Sequence, residues 1–330
     1  MRRLTGILLG ALALTTSLEA RTWTAVDGRT LEGEYLRAEG EEAVWVEVGG
    51  REVRIALSQL SEGDREFVAS KREEAQSASL TLFGQKLTPG KAVEVTTGLP
   101  EEVQRELRDN KLPPTQAKVK VHLPENFDPA QPQKVFWPVG GINNEKERLS
   151  GNLSRFSACG EAIRRGWIVI AADTEHGNPR ETTIKIQEGD AAFHAFVIAE
   201  LASIWPDFLS WKHACGGHSS GAKGSFFRLG HLGEAGCQVT GIFLSGCNQA
   251  FGKESLDESG ARKSAFKTTK AFISSGDADN LVDDDDREEL VDGVGDMGIR
   301  AVRDEVFSGG HSINNSHFEA ALKWFEEGAE

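Results

Sequence analysis

The sequence predicts an α/β protein whose mostly parallel sheet is covered by helices on both faces, preceded by a small all-β barrel. From Gly166 onward, apolar runs of strand length alternate with helical stretches, the pattern of strands joined by crossover helices. Between Arg21 and Leu57, short stretches of alternating apolar and polar residues are separated by glycine-containing turns, the signature of successive hairpins. A polar, unpatterned stretch centred on "SKREEAQSAS" parts the two blocks.

Taken in order, residues 1–20 stand outside the fold. Arg2 and Arg3 form a positive start, Leu4 to Leu14 is an apolar run, and Thr15 to Ala20 is more polar and ends on a small residue. This reads as a secretory signal peptide cut after Ala20, and it places the mature protein outside the cell or in the periplasm. The run is shorter than the about 20 apolar residues a membrane span needs. No later segment is long enough either, and with no cysteine near the cut a lipid anchor is not expected there. Residues 21–68 form the barrel, closed by "LSQLSEGDREFV" with Ser61 as a helix N-cap. Residues 69–87 read as a linker or frayed helix, and residues 88–330 as the α/β domain. Its strands are expected in "KAVEVTTGL", "AKVKVHLP", "KVFWPVGG", "GWIVIAAD", "HACGG", "GIFLSGC", "AFISSGD" and "IRAVRDEVF". Its helices are expected in "AAFHAFVIAELASIW", after Ser220, and in "SHFEAALKWFEE".

Composition narrows the function. A chain of 330 residues holds one large domain, or a medium domain and a small one, with a sizeable core. Its formal net charge of -14 argues against a protein that coats nucleic acid or anionic membrane. Cys159, Cys215, Cys237 and Cys247 show no zinc spacing and are too few for a disulfide framework in so long a chain. They form two bridges in one of three pairings, or none and stay as free buried thiols. "DDDD", Asp283 to Asp286, lacks the spacing of a calcium loop and suits the start of the helix "REELVDGV", where the dipole favours acids.

The chemistry is expected at "GGHSSG". Gly217-His218-Ser219-Ser220-Gly221 is a G-x-S-x-G sequence lying between a short strand, Lys212 to Cys215, and the helical stretch "GAKGSFFRL". A strand, a sharp turn and a helix form the setting that exposes a nucleophilic serine. Such a hydroxyl needs a general base, and the base needs an acid to orient it. His311 in "EVFSGGHS" follows one later strand, and Asp277 and Asp279 in "AFISSGDADNLV" follow another. Reactive groups gather at the carboxyl ends of strands in such sheets.

These residues, from Val121 onward, resemble the α/β-hydrolase family, above all its extracellular esterase branches. The chain order serine, acid, histidine is that of the family. Its "G-x-x-D-x-x-V" matches Gly276, Asp279 and Val282, which carries the acid to Asp279 with Asp277 as the second candidate. "G-G-H" before a closing helix matches Gly309, Gly310 and His311. The resemblance implies an oxyanion hole made by the N–H of Ser220 and of Gly141 in "WPVGGINN", with Gly140 allowing close approach and Asn143 or Asn144 as further donors. Here the chain departs from the family, because the usual His-Gly reads Val139-Gly140. The stretch from "RTWTAVDGR" to "LSEGD" is similar to the Sla homology domain, a small barrel of the Src-homology-three type, which implies binding or tethering.

The expected function is therefore an exported serine hydrolase acting on a carboxylic ester, with Ser219, His311 and Asp279 as catalytic residues and no metal or organic cofactor. Its partners are a small-molecule or polysaccharide-linked ester and, for the barrel, a surface or another protein. A serine peptidase and an inactive tethering protein are the rival readings. His218 receives no chemistry, His176 is expected to shape the pocket, and Trp137 and Trp205 to serve as core or pocket wall.

Overall fold

The computed structural model describes residues 20–107, 115–141, 151–174 and 191–327. The chain divides into two compact units, Met1–Ala78 and Ser79–Glu330. The expected signal peptide lies outside the described residues except at Ala20, where the first strand begins.

In the first unit, strands β1 (Ala20–Thr24), β2 (Thr30–Glu39), β3 (Ala43–Val48) and β4 (Arg51–Ala56) form an antiparallel sheet in sequence order. Trp23, Val44, Val46, Leu60 and Val68 make its core, and the Trp23 indole N–H donates to the Gly33 carbonyl at 3.1 Å. Helix α1 (Glu62–Ser79) starts where expected, and the Asp64 N–H donates to Ser61 Oγ at 3.3 Å. The buried Asp64 carboxylate reaches back to β1, accepting the Thr24 N–H at 2.7 Å and pairing with Arg21.

The stretch 69–87, expected as a linker or frayed helix, is helical as far as Ser79. Helix α1 runs on to Ser79, and strands β5 (Thr81–Leu82) and β6 (Gln85–Lys86) pair immediately after it. Leu82 and Leu87 are buried in the core of the second unit, so apolar residues spaced five apart decided what a polar average concealed.

In the second unit eight strands share one sheet: β7 (Ala92–Gly98), β8 (Gln116–His122), β9 (Lys134–Val139), β10 (Ile168–Thr174), β11 (Lys212–His218), β12 (Gln238–Ser245), β13 (Lys270–Gly276) and β14 (Ala301–Phe307). Their spatial order is β14-β13-β12-β11-β9-β10-β8-β7. Pairings from β14 through β10 are parallel, and β8 joins β10 and β7 antiparallel. Around it run α2 (Glu101–Glu106), α3 (Asn152–Arg155), α4 (Gly160–Arg164), α5 (Ala191–Ile204), α6 (Ser220–Glu234), α7 (Gly252–Ser259), α8 (Asp284–Asp296) and α9 (Asn315–Glu326). This is a mixed, mostly parallel sheet flanked by helices.

Strand alternation sorts the side chains into two cores. β9 sends Val135, Trp137 and Val139 to the core shared with α5 and α6, and Phe136 to the core shared with α9. β12 and β13 do the same, with Ile242, Leu244 and Ile273 on one side and Phe243 and Phe272 on the other. Glu326 at the end of α9 then accepts from Lys134 at 2.9 Å, Arg165 at 2.6 Å and the Trp167 indole at 2.8 Å, fixing the last helix to β9 and the start of β10. Asp283 caps α8 through a reciprocal capping box with Asp286, so the acidic run begins a helix. All four cysteines are free and buried.

His213 on β11 is fully buried, its Nε2–H donating to the Phe208 carbonyl at 2.8 Å and its Nδ1 accepting from the Trp137 indole at 3.2 Å. Both ring nitrogens are satisfied only in the neutral form. Burial holds its pKa at about 4, against an ordinary 6.5. Burial and the Arg228 guanidinium hold His231 at about 3. The unfolded chain thus binds more protons as pH falls below 6.5, and the native state loses stability until about pH 4. Thermal melts across this range should show the midpoint falling with pH, with a shallower slope in His213→Gln. An unchanged slope would refute the assignment of a buried neutral imidazole at this position.

Candidate active site

The chain reverses direction across the sheet at β9. From β9 it passes to β10 on one side, and from β10 to β11 on the other, so the loops leaving β9 and β11 diverge. A crevice opens at such a switch point, outside the carboxyl ends of the strands. Gly141, Ser219, Ser220, Asp279 and His311 all follow the carboxyl end of one of these strands.

Ser219 stands alone between β11 and α6, with φ 56° and ψ -123°. That backbone state costs a non-glycine residue on the order of 1–3 kcal/mol and must be held by its surroundings. The Ser219 N–H donates to the Ser245 carbonyl at the end of β12 at 2.8 Å, while its own carbonyl accepts from Ala222 at 2.9 Å to start the helix. The turn also demands small neighbours. A β-carbon on Gly217 would lie 2.3 Å from the Val139 carbonyl oxygen, and one on Gly221 would lie 2.4 Å from it.

The loop after β9 meets the helix start directly, since a β-carbon on Gly141 would lie 2.1 Å from Ser220 Oγ. Among the described residues, neither the Gly141 nor the Ser220 N–H donates to a protein acceptor. The preceding Gly140 N–H is occupied: it donates to Asn152 Oδ1 at 2.9 Å, and the Asn152 amide donates to the Ala172 carbonyl on β10 at 2.9 Å. Asn152 is fully buried at the start of α3, whose Leu153 N–H is taken by the Asp173 carboxylate at 2.8 Å. One side chain thus fixes the loop after β9 to the neighbouring strand.

On the far side, His311 Nδ1 lies 2.8 Å from Asp279 Oδ2, and the Asp279 side chain is only 1% exposed. The other Asp279 oxygen accepts the Leu281 N–H at 2.9 Å, which fixes the carboxylate. With Nδ1–H donating to Asp279, Nε2 is left as the acceptor. Asp277, the second candidate, is turned to the Gly309 N–H at 2.9 Å and holds the loop that carries His311. The geometry therefore separates two acids that the sequence left two residues apart.

The ring of His218, the residue before Ser219, packs on His311 with centroids 4.5 Å apart. Its Nδ1 is 3.2 Å from Ser245 Oγ. Burial, with neighbouring His311 and Arg155, holds the His218 pKa at about 4, so it is uncharged at neutral pH. The residue before Ser219 thus packs on the histidine of the Asp279–His311 pair, and among the described residues no hydrogen bond joins Ser219 Oγ to His311. Such contacts are often loose before substrate binds.

Trp137 and Trp205 are buried in the core rather than in the crevice. Asn143, Asn144 and His176 lie outside the described residues. Among the described residues no cluster of histidine, cysteine and acidic side chains could hold a metal ion. Sequence reasoning missed Asn152 and Ser245, because neither belongs to a motif and each acts through a contact between distant strands. Arg155, near His218, was also passed over.

No family model matches the chain, and no curated protein matches it. Among solved structures, the chain is similar to a ferulic acid esterase at 13% identity, covering 71% of this chain and 96% of that one, with a TM-score of 0.46. It is similar also to a truncated carbohydrate esterase from gut microbiota at 14% identity, covering 72% and 96%, with a TM-score of 0.45. An esterase of Pyrococcus furiosus is similar at 13% identity, covering 71% and 89%, with a TM-score of 0.44.

Replacing Asn152 by alanine should leave the Gly140 N–H and the Ala172 carbonyl buried without partners, at a cost of about 1–3 kcal/mol. Urea denaturation measures this directly. A loss below about 0.5 kcal/mol, the range of an ordinary surface change, would mean that the amide does not anchor the loop.

Proposed function

We propose that the protein is an exported serine hydrolase that cleaves a carboxylic ester. The observation that carries this reading is the Asp279–His311 pair, 2.8 Å apart with the carboxylate sealed from solvent, set beside a strained serine turn. Ser219 Oγ attacks the acyl carbonyl while His311 Nε2 takes its proton, and the same nitrogen returns that proton to the leaving alcohol. Asp279 keeps the imidazole in the required tautomer and steadies the imidazolium. The Gly141 and Ser220 N–H groups receive the negative charge of the tetrahedral intermediate. Water, activated by His311, then hydrolyses the acyl-enzyme, and neither metal nor organic cofactor takes part.

Arg2, Arg3 and the apolar run behind them support export to the cell exterior or periplasm. The first unit, a four-stranded antiparallel sheet with a capped helix, supports a Sla homology-type barrel that tethers the enzyme to a surface or partner. Its substrate would be a small or polysaccharide-linked ester.

Treatment of the mature protein with a fluorophosphonate, followed by peptide mass mapping, should give one adduct on Ser219 that is absent in His311→Ala. Ser219→Ala should lower ester hydrolysis by about three orders of magnitude or more with the fold intact. Asp279→Asn should lower it by orders of magnitude through the wrong tautomer, and Asp277→Asn far less. Unchanged turnover in Ser219→Ala, or cleavage of peptides in preference to esters, would overturn the reading. Absence of any adduct on folded protein would favour an inactive tethering protein.

A further inference from the structure

We propose that Arg155 is a specificity residue of this site, its guanidinium receiving a carboxylate carried by the substrate, so that the preferred ester bears an anionic group close to the scissile bond. The inference rests on the serine-hydrolase reading and names the substrate class for it.

Arg155 closes α3, the turn that Asn152 opens and that holds the loop after β9. It lines a small cavity with Cys159, Gly216, Gly217, Ile313 and Phe318. Gly216 and Gly217 lead into His218 and Ser219, and Ile313 follows His311 by two residues. The cavity of about 20 Å³ therefore adjoins the segments that carry Ser219 and His311, Arg155 is near enough to His218 to help keep it uncharged, and exposed Ala158 lies on the cavity's rim.

The rest of the lining gives the cation nothing to pair with. Phe136, Phe243, Phe318 and Ile313 are apolar. Burial pushes the Cys159 thiol up to about 12, so it stays neutral. Among the described residues no carboxylate pairs with Arg155. Other partly buried arginines are paired: Arg21 with Asp64, Arg165 with Glu326, and Arg287 with Asp304. In a chain with 51 acidic and 37 basic residues, a guanidinium that has no carboxylate beside it among the described residues differs from these three.

Burial lowers the Arg155 pKa from its usual value, the mark of a charge held at a desolvation cost. An anionic substrate group would remove that imbalance, and a neutral one would leave it. The planar fork suits a carboxylate, which accepts two parallel N–H bonds. Neutral His218 places no second charge beside it, so discrimination falls to Arg155.

The test uses the full mature protein and two matched pairs of esters. One pair is the mono-para-nitrophenyl ester of adipic acid and its methyl-capped counterpart; the other is para-acetoxybenzoate and its methyl ester. In one pair or both, the free carboxylate should raise kcat/KM by about tenfold or more. Arg155→Met should bring that ratio close to unity, and Arg155→Lys, which keeps the charge but loses the fork, should retain part of it. If Arg155→Met does not fold, a fall of the ratio in Arg155→Lys carries the same meaning.

A ratio near unity in both pairs, or one that survives Arg155→Met, overturns this inference while fluorophosphonate labelling of Ser219 leaves the hydrolase reading standing. No turnover of any of the esters together with no adduct on Ser219 removes both.

Discussion

The carbonyl oxygen of Val139 at the end of β9 sits against Gly217 and Gly221 so closely that neither can carry a β-carbon. This approach brings the loop after β9 onto the start of α6, and the crevice is assembled from it. It is possible only because Ser219 adopts a backbone state that most residues avoid, so that the strand turns into the helix without an intervening loop. The strain is sustained by what flanks it: the ladder of β11 between β9 and β12, the Ser219 N–H bond to Ser245, and two cores packed on opposite faces of the sheet. A rigid scaffold holding a strained turn at the mouth of a crevice is a recurrent arrangement where a side chain must be presented to a ligand.

The same constraint organises the hydrogen bonds around the crevice. Asn152 consumes the Gly140 N–H, and the Gly141 and Ser220 N–H groups are left pointing to where no protein acceptor lies among the described residues. Gly140 is therefore held by an amide on α3. Opposite, the two acids after β13 divide their contacts, since Asp277 binds the backbone of the histidine loop and Asp279 binds the histidine ring.

Among the described residues of the second unit, buried charge is mostly neutralised or paired. Buried imidazoles such as His213 and His231 are kept neutral, and Glu326 gathers Lys134, Arg165 and Trp167 around itself. Arg155, with no carboxylate beside it among the described residues, is where a ligand would complete the pair.

Much of this was written in the chain. The eight strands described in the sheet, the capped helices at Ser61 and Asp283 and the tight turn at Ser219 all follow from local pattern, because periodicity, caps and tight turns are properties of neighbouring residues. Over 69–87, read as a linker or frayed helix, the chain continues its helix to Ser79 and then buries Leu82 and Leu87. What only the tertiary structure decided is which distant groups meet. The contact of Asp279 rather than Asp277 with His311, the anchoring of Gly140 by Asn152 and the packing of His218 on His311 depend on strands that are neighbours in the sheet but far apart in sequence. No spacing rule in a chain encodes such contacts, since they arise from the order in which the strands assemble.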